Sequence, residues 1–306
     1  MKLEVANDEV RVEQPAEFQG EHSEADTLLA FHARQEEGNI IVRSSDTDVL
    51  LILICMIHQD QEEEKAVKYG RVLMDYGVGN NRRFINVTSI QAKLEEKEPG
   101  ISRALLGLHA LTGSDYTASF DGKGKVRPMK LLLEMEEEDF ITAFSSLSTG
   151  DNSHFSKIEK FICILYGIRS AGNADEARRI KLYQLAGIKE KEVIPHSKKV
   201  KKLRKINCSL LPPCQKVLQQ KILRAQYVSQ VWSKAADKNP SEGLCPSQYG
   251  WKKEENRWKW VWYIGSAVPD RFTECADGSE EDDDAENEEE DDAWSENESP
   301  ENDEEN

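Results

Sequence analysis

The segment IIVRSSDTDVLLILICMI, from Ile40 to Ile57, contains the pattern that decides the fold. Its first residues, IIVRSS, form a short β-branched run, which predicts a buried strand. The acidic segment SDTD ends this strand and places Asp46 and Asp48 just beyond its carboxyl end. In open α/β sheets, ligands bind at the carboxyl ends of the strands. The apolar run that follows, VLLILICMI, is too short to span a bilayer.

The sequence on either side of this segment predicts further helices and strands. Upstream, SEADTLLAFHARQEEGN predicts a helix that Ser23 caps at its start and Gly38-Asn39 caps at its end. Downstream, two β-rich pieces around Gly79–Asn81 predict a hairpin. Beyond them, SRALLGLHAL and RPMKLLLEMEEEDFITAF both have a helical pattern. The first half of the chain is therefore predicted to be α/β.

The second half of the chain is mostly helical in pattern, up to a tryptophan-rich piece near its end. HFSKIEKFICILYG, ADEARRIKLYQLAG and CQKVLQQKILRAQYVSQVWSKAA all predict helices. In YGWKKEENRWKWVWYIG, residues Trp258, Trp260 and Trp262 alternate as in a half-buried strand. Such a ladder can stack nucleic-acid bases. The commoner interpretation is the apolar face of a hairpin packed on the helices.

The negative charge of the chain is concentrated at one end. The formal net charge is −17, and the segment 277–306 contains 18 acidic residues and no lysine or arginine, so the rest is close to neutral. A segment of this composition cannot bury enough apolar area to fold, which predicts a disordered acidic tail over 273–306. The remainder is predicted to divide into an α/β domain, 1–150, and a helical region, 151–272.

Cysteine usage and hydropathy indicate a soluble intracellular protein without a membrane partner. The six cysteines are scattered and form no C-x-x-C pair, which argues against a zinc site or a disulfide framework. No apolar leader pattern opens the sequence. The basic run HSKKVKKLRK, from His196 to Lys205, is typical of a nuclear localisation signal or a nucleic-acid contact. A solvated helix face explains such a run equally well.

Closely spaced carboxylates occur in three places outside the tail. They are Glu24 with Asp26, Asp46 with Asp48, and Asp115 alone. Taken singly, each pattern is more often a helix cap or a turn. Two carboxylates at the end of a strand repel each other unless a cation or protons compensate. Mg²⁺ and Mn²⁺ prefer such hard oxygen ligands, and a pair of these ions suits phosphodiester hydrolysis.

The stretch HALTGSDYTASFDGKGK, from His109 to Lys125, joins the last of these carboxylates to a glycine–lysine turn. Glycines permit close approach of the backbone to a phosphate. The N–H groups ahead of RPMKLLLEM would face an anion, and the basic side chains would add positive charge. The alternative is an exposed flexible turn. His109 is expected to pack or hydrogen-bond near the site.

Together, SEADT, SSDTDVLLI and HALTGSDYTASFDGKGK resemble the flap endonuclease and XPG-type family of structure-specific 5′ nucleases. The resemblance runs from about Ser23 to Glu134. More closely, EADT, SSDTDVL, HALTGSD, LPPC and YGWKKEENRWKW are similar to phrases of a diverged, mobile-element-associated group of eukaryotic proteins. The resemblance implies a PIN-like, 5′-nuclease-like sheet with flanking helices, followed by a helix–two-turn–helix.

The resemblance also implies a set of site residues and ions. The positions that match the metal-binding carboxylates of the family are Glu24, Asp26, Asp46, Asp48 and Asp115. The implied metal is Mg²⁺ or Mn²⁺. Two glycines match the hairpin at which the family's backbone approaches a DNA phosphate, with a K⁺ ion between. The implied nucleic-acid contacts are Gly122, Lys123, Gly124, Lys125 and Arg127.

Part of the family pattern has no counterpart in this sequence. The family places an acidic residue on an N-terminal strand and then a basic helical arch. Here KLEVAND, with Asp8 at its end, imitates such a strand, but the loop from Asp8 to Glu24 is too short for an arch. The resemblance therefore implies a domain that is truncated at its N-terminus, or one that works without cleavage.

Two functions remain open from the sequence. The first is a divalent-metal-dependent structure-specific nuclease, or a catalytically impaired derivative of one, acting on DNA. The second is a non-catalytic module that binds nucleic acid or protein on a nuclease-derived scaffold. The acidic tail is a candidate contact for a basic protein. It is also a candidate autoinhibitor that competes with nucleic acid for the chain's own basic residues. The simplest interpretation is that the tail keeps the protein in solution.

Overall fold

The computed structural model describes the backbone of residues 2–6, 9–13, 19–135, 139–189 and 196–265. Asp8 and the predicted acidic tail, 273–306, lie outside these residues. The strands in the described part are β1 (Lys2–Ala6), β2 (Glu9–Glu13), β3 (Gly38–Arg43), β4 (Tyr69–Tyr76), β5 (Arg83–Asn86), β6 (Trp251–Glu254) and β7 (Arg257–Trp260). The helices are α1 (Ala25–Gln35), α2 (Thr47–Glu62), α3 (Val87–Lys97), α4 (Ile101–Thr112), α5 (Val126–Glu134), α6 (Phe140–Thr149), α7 (Phe155–Leu165), α8 (Ala174–Leu185), α9 (His196–Arg204) and α10 (Gln215–Ser233).

The central sheet has three strands in the order β3-β4-β5. β3 and β4 are parallel, so their carboxyl ends meet at one edge of the sheet. β4 and β5 form the predicted antiparallel hairpin, with a short 3₁₀ turn at Gly79–Asn81. β1 with β2 and β6 with β7 form two separate two-stranded pairs. The α/β class is thereby confirmed, and the tryptophan-rich piece forms a hairpin. Trp262 lies beyond β7, and Trp258 and Trp262 are 45% and 53% exposed, so the prediction of one half-buried strand with all three tryptophans was wrong.

Among the described residues, other elements cover β3 on one face only, so the prediction of a buried strand was wrong. Val42 is buried on the inner face, but Ile41 is 59% exposed on the outer face. Strands buried on both faces and strands buried on one face can both be rich in β-branched residues. The run IIVR therefore identified a strand without revealing how many of its faces other elements cover.

The ends of α1 also differ from the sequence prediction. Glu24, not Ser23, is the residue that precedes the helix, and no side chain caps its first turn. The helix ends at Gln35 rather than at Gly38-Asn39. Gly38 has a φ of 78° and turns the chain from the helix into β3. Gly38 and Asn39 therefore belong to β3 and do not cap α1.

The core is continuous between the two halves of the chain. The apolar run of the opening segment forms most of α2, which buries residues such as Ile52, Leu53 and Ile57. α10 packs on α4 and α6, and its Trp232 is almost completely buried. The pattern RPMKLLLEMEEEDFITAF, read as helical throughout, divides into α5 and α6. The boundary predicted at residue 150 and the PIN-like architecture stay predictions.

The close packing of α4 on α6 depends on a glycine. A Cβ atom at Gly107 would lie 2.3 Å from the backbone oxygen of Phe144, which cannot move independently of α6. We therefore expect Gly107→Ala to lower the free energy of unfolding by about 1–3 kcal/mol, the usual cost of overpacking. Urea denaturation measures this difference.

Gly172→Ala is the matched control for this substitution. A Cβ atom there meets only Glu176 Oε2, at 3.4 Å, which is ordinary contact with the end of a flexible side chain. We expect this variant to unfold within about 0.5 kcal/mol of the wild type. Equal stability of the two variants would contradict the tight approach of α4 and α6.

Candidate metal centre

Three carboxylates from two segments converge beside the carboxyl end of β3. Asp26 lies in the first turn of α1, and Asp46 and Asp48 lie at the start of α2. One oxygen from each of the three lies within 4.8 Å of the others. Asp46 is exposed, while Asp26 and Asp48 are partly buried. The structure thus brings together three of the five carboxylates predicted as metal ligands, at a spacing that a single cation can bridge.

The other two predicted carboxylates lie close enough to affect the same group electrostatically. The pKa of Asp26 is raised to about 6, first by burial and then by the negative charges of Asp46, Asp48, Glu24 and Asp115. Crowded carboxylates at the same site raise one another's pKa because the ionised forms repel. Glu24 and Asp115 are therefore neighbours of the three-carboxylate cluster, although they are not part of the 4.8 Å group.

Asp46 is both the N-cap of α2 and a member of the carboxylate cluster. Its Oδ1 accepts a hydrogen bond from the backbone N–H of Asp48 at 2.9 Å, which caps α2. Its own N–H donates to Ser44 Oγ at 3.1 Å. These two bonds fix the turn between β3 and α2, so the cap holds the carboxylate at the cluster rather than competing with it.

His109 was predicted to pack or hydrogen-bond near the site, and it contacts the cluster directly. Its Nε2 lies 2.7 Å from Asp48 Oδ1. The histidine lies on α4, and its ring is 6.1 Å from the Trp232 ring, centre to centre. A histidine bonded to a ligand carboxylate fixes the orientation of that carboxylate. Asp48 is therefore held from two sides, by its own helix and by α4.

Glu24 is held by two aromatic side chains, neither of which the sequence analysis assigned to it. Its Oε2 accepts a hydrogen bond from Trp232 Nε1 at 3.3 Å. The hydroxyl of Tyr116 also bonds to Glu24, and burial together with this bond raises the pKa of Tyr116. Trp232 is separated from Glu24 by 208 positions. A buried tryptophan requires an acceptor for its N–H, but the sequence does not show which acceptor it meets.

The glycine–lysine turn lies between α4 and α5. Gly122 and Gly124 have φ values of 63° and 54°, in the left-handed region that favours glycine. No heavy atom lies within 4 Å of a Cβ built at either position, so the outer side of the turn is open. Asp115 and Arg127, which flank this turn, are both exposed. The backbone is therefore accessible where a phosphate contact was predicted.

The two lysines of this turn face the protein. Lys125 Nζ donates to the backbone oxygens of His109, at 2.8 Å, and Gly113, and to Thr112 Oγ1 at 3.2 Å. Protein atoms enclose this ammonium group and lower the pKa of Lys125 to about 8, although the residue as a whole is exposed. Lys123 Nζ lies 4.3 Å from the centre of the Tyr166 ring. Lys125 thus caps the carboxyl end of α4 beside the cluster.

The chemistry of the cluster fits a hard divalent cation. The three converging ligand atoms are all carboxylate oxygens, which Mg²⁺ and Mn²⁺ prefer, and no sulfur ligand is among them. Burial raises the pKa of Asp26 first, and the negative charges of the neighbouring carboxylates raise it further. A bound cation would relieve this repulsion. The K⁺ ion implied at Gly122 and Gly124 stays a prediction.

Comparison with known proteins adds no family to this picture. No protein-family model, no curated protein and no solved structure matches the chain. The resemblance to 5′ nucleases therefore rests on its sequence motifs alone. In the described part of the chain, no helix is long and apolar enough to cross a membrane.

Proposed function

We propose that this protein is a divalent-metal-dependent phosphodiester hydrolase that acts on nucleic acid. The observation that carries the proposal is the meeting of Asp26, Asp46 and Asp48 within 4.8 Å, with the charges of Glu24 and Asp115 close by. Helix caps and turns alone would not require such a meeting, because isolated caps have no reason to share one place. The cluster also lies at the sheet edge where α/β folds bind ligands.

Each side chain has a definite task in this proposal. Asp26, Asp46 and Asp48 hold Mg²⁺ or Mn²⁺, and His109 keeps Asp48 in position. Glu24, fixed by Trp232, adds negative charge next to the cation site. The metal, when bound, polarises a phosphoryl oxygen and lowers the pKa of a bound water. The open backbone at Gly122 and Gly124 receives a phosphate of the same strand.

A second function, binding without cleavage, is favoured by the positions of the two lysines. Lys125 donates to the end of α4, and Lys123 contacts the Tyr166 ring, so both ammonium groups already have protein partners. Less positive charge is then free to stabilise the transition state of cleavage. In this alternative the carboxylate cluster still binds a cation, which organises the surface for nucleic-acid binding.

Cleavage assays with and without metal separate the two functions. We expect the purified protein to hydrolyse bis(4-nitrophenyl) phosphate and single-stranded DNA in Mg²⁺ or Mn²⁺ and not in EDTA. Since protons compete with the cation for Asp26, whose pKa is about 6, activity should rise as the pH increases through this value. The absence of hydrolysis at every metal concentration would contradict the proposed activity and leave the binding function.

A further inference from the structure

The outer face of the central sheet carries an unusual set of side chains. Side chains alternate between the two faces of a strand, and partners in register share a face. Arg43 pairs with Asp75, and Asp75 pairs with Phe84, so these three lie side by side. By the same alternation, Ile41, Arg71 and Leu73 share this outer face, and Arg82 joins it through its hydrogen bonds to Asp75.

This outer face is cationic in a chain that is acidic as a whole. It carries three arginines and one aspartate, a local charge of about +2, whereas the chain has a net charge of −17. Two of its large apolar side chains are largely uncovered by other described residues, since Ile41 is 59% and Phe84 is 57% exposed. Exposed apolar groups among cations indicate a binding surface, and the charge indicates an anionic partner.

Asp75 organises two of the arginines. Its Oδ1 accepts hydrogen bonds from Arg43 Nη1, at 2.9 Å, and from Arg82 Nε, at 2.8 Å. Its Oδ2 accepts a third bond from Arg82 Nη2, at 2.8 Å. The two guanidinium groups cover Asp75, which is only 4% exposed. These bonds use part of the N–H donors of each guanidinium, so both arginines are held in place with donors left for a phosphate.

Phe84 adds an aromatic surface next to these cations. The guanidinium carbon of Arg82 lies 5.8 Å from the centre of the Phe84 ring. Arg83 and Tyr76 pair one position further along the hairpin and therefore lie on its other face, so Phe84 is the aromatic ring that the outer face offers. Exposed aromatic rings that alternate with cations are the means by which proteins bind single-stranded nucleic acid, because bases stack on the rings and phosphates pair with the cations.

The outer face adjoins the carboxylate cluster. Arg43 is the last residue of β3, and Asp46 follows it after two serines. The backbone N–H of Gly77, just past the end of β4, donates to Ser45 Oγ at 3.2 Å. This bond ties the β4–β5 hairpin to the segment that leads into the cluster. A strand bound on the outer face would therefore continue directly to Asp46.

We propose that the outer face binds a single strand of nucleic acid, with a phosphate on Arg43 and Arg82 and an unpaired base on Phe84. The inference that the bound nucleic-acid strand leads to the carboxylate cluster rests on the proposed function. The inference that the strand binds to the outer face does not. A duplex is a poorer partner, because its bases are already stacked on each other and cannot cover Phe84. The ligand class is defined by its phosphodiester backbone and its free bases, as in DNA or RNA.

Fluorescence anisotropy of labelled single-stranded oligonucleotides in EDTA tests this site without cleavage. We expect Phe84→Ala to weaken binding about tenfold or more, and Phe84→Leu to weaken it nearly as much, because only the ring stacks on a base. Arg43→Gln should weaken binding and reduce its dependence on salt. Arg169→Ala, which removes an exposed arginine between α7 and α8, should bind as the wild type does. Circular dichroism verifies that each variant is folded.

Three results would overturn this inference. The first is equal binding by the wild type, Phe84→Ala and Arg43→Gln. The second is equal competition by duplex and by single strands for the labelled oligonucleotide. The third is a dimer in sedimentation that Phe84→Ala converts to a monomer, since the outer face would then be an interface between copies of the chain. DNA and RNA strands are tested in parallel to identify the source of the ligand.

The same variants keep this inference separate from the proposed activity. If strands bind through Phe84 but bis(4-nitrophenyl) phosphate is not hydrolysed, strand binding at the outer face is supported and the proposed hydrolase activity is contradicted. If this small substrate is hydrolysed but Phe84→Ala binds strands normally, the proposed hydrolase activity is supported and strand binding at the outer face is contradicted. The small phosphodiester is suited to this purpose because it is not a nucleic-acid strand and has no nucleobase to stack on Phe84.

Discussion

Asp46→Asn is expected to abolish metal-dependent phosphodiester hydrolysis while leaving the protein folded. Asparagine is as good an N-cap as aspartate, so the cap that Asp46 provides for α2 is retained. Only the negative charge at the cluster is lost. Substitution of residues that merely support metal ligands costs about 10–100-fold in affinity or activity, so the loss of a ligand should cost at least about 100-fold.

The stability of the same variant provides a second readout. Without metal, Asp46→Asn should melt at the same or a higher temperature than the wild type, because one of the mutually repelling charges next to Asp26 is gone. With Mn²⁺ the wild type should melt at a higher temperature, and the variant should not respond, since only the folded wild type binds the ion. Differential scanning fluorimetry measures both shifts.

Asp237→Asn is the matched control for Asp46→Asn. Asp237 is exposed on the chain after α10, and its loss removes the same charge from a different place. This variant should retain the hydrolysis rate and the Mn²⁺ response of the wild type. If Asp46→Asn also retained both, the carboxylate cluster would not be the metal site.

Trp232→Ala is expected to cause the largest loss of stability. Trp232 is 2% exposed, lies on α10 between α4 and α6, and donates its N–H to Glu24. Truncation of a fully buried tryptophan costs about 3–5 kcal/mol, which includes the cavity that remains. The loss should appear as a shift of the urea midpoint in circular dichroism.

Trp232→Phe separates the packing of this ring from its hydrogen bond. Phenylalanine retains much of the buried apolar area and removes the donor that meets Glu24 Oε2. We expect a loss of about 1–3 kcal/mol from the smaller side chain and the unpaired acceptor. A Trp232→Ala variant as stable as Trp232→Phe would show that the ring does not connect α10 to the core as described.

The sequence predicted those features that depend on neighbouring residues. The turn from β3 into α2 follows from the change of IIVR into SDTD, and the β4–β5 hairpin follows from Gly79–Asn81. His109 was predicted to pack or hydrogen-bond near the site because it shares one short stretch with Asp115, and its contact with Asp48 confirms this prediction. Spacing along the chain was enough for these features.

Other features depend on which distant segments meet, and no local pattern reveals this. Trp232 reaches Glu24 across most of the chain. The exposure of Ile41 depends on what covers the outer face of the sheet, not on the residue itself. Lys125 looked like a free cation in GKGK, but the end of α4 supplies acceptors for its ammonium group. Such contacts come from the packing of helices on each other.

The most direct measurement of the central claim is the anomalous scattering of a crystal soaked in Mn²⁺. We predict an anomalous peak between the carboxylates of Asp26, Asp46 and Asp48, with the ion bonded to oxygens of all three, and no peak there in Asp46→Asn. A peak elsewhere, or none at concentrations that saturate the thermal shift, would contradict a divalent-metal site at the carboxyl end of β3.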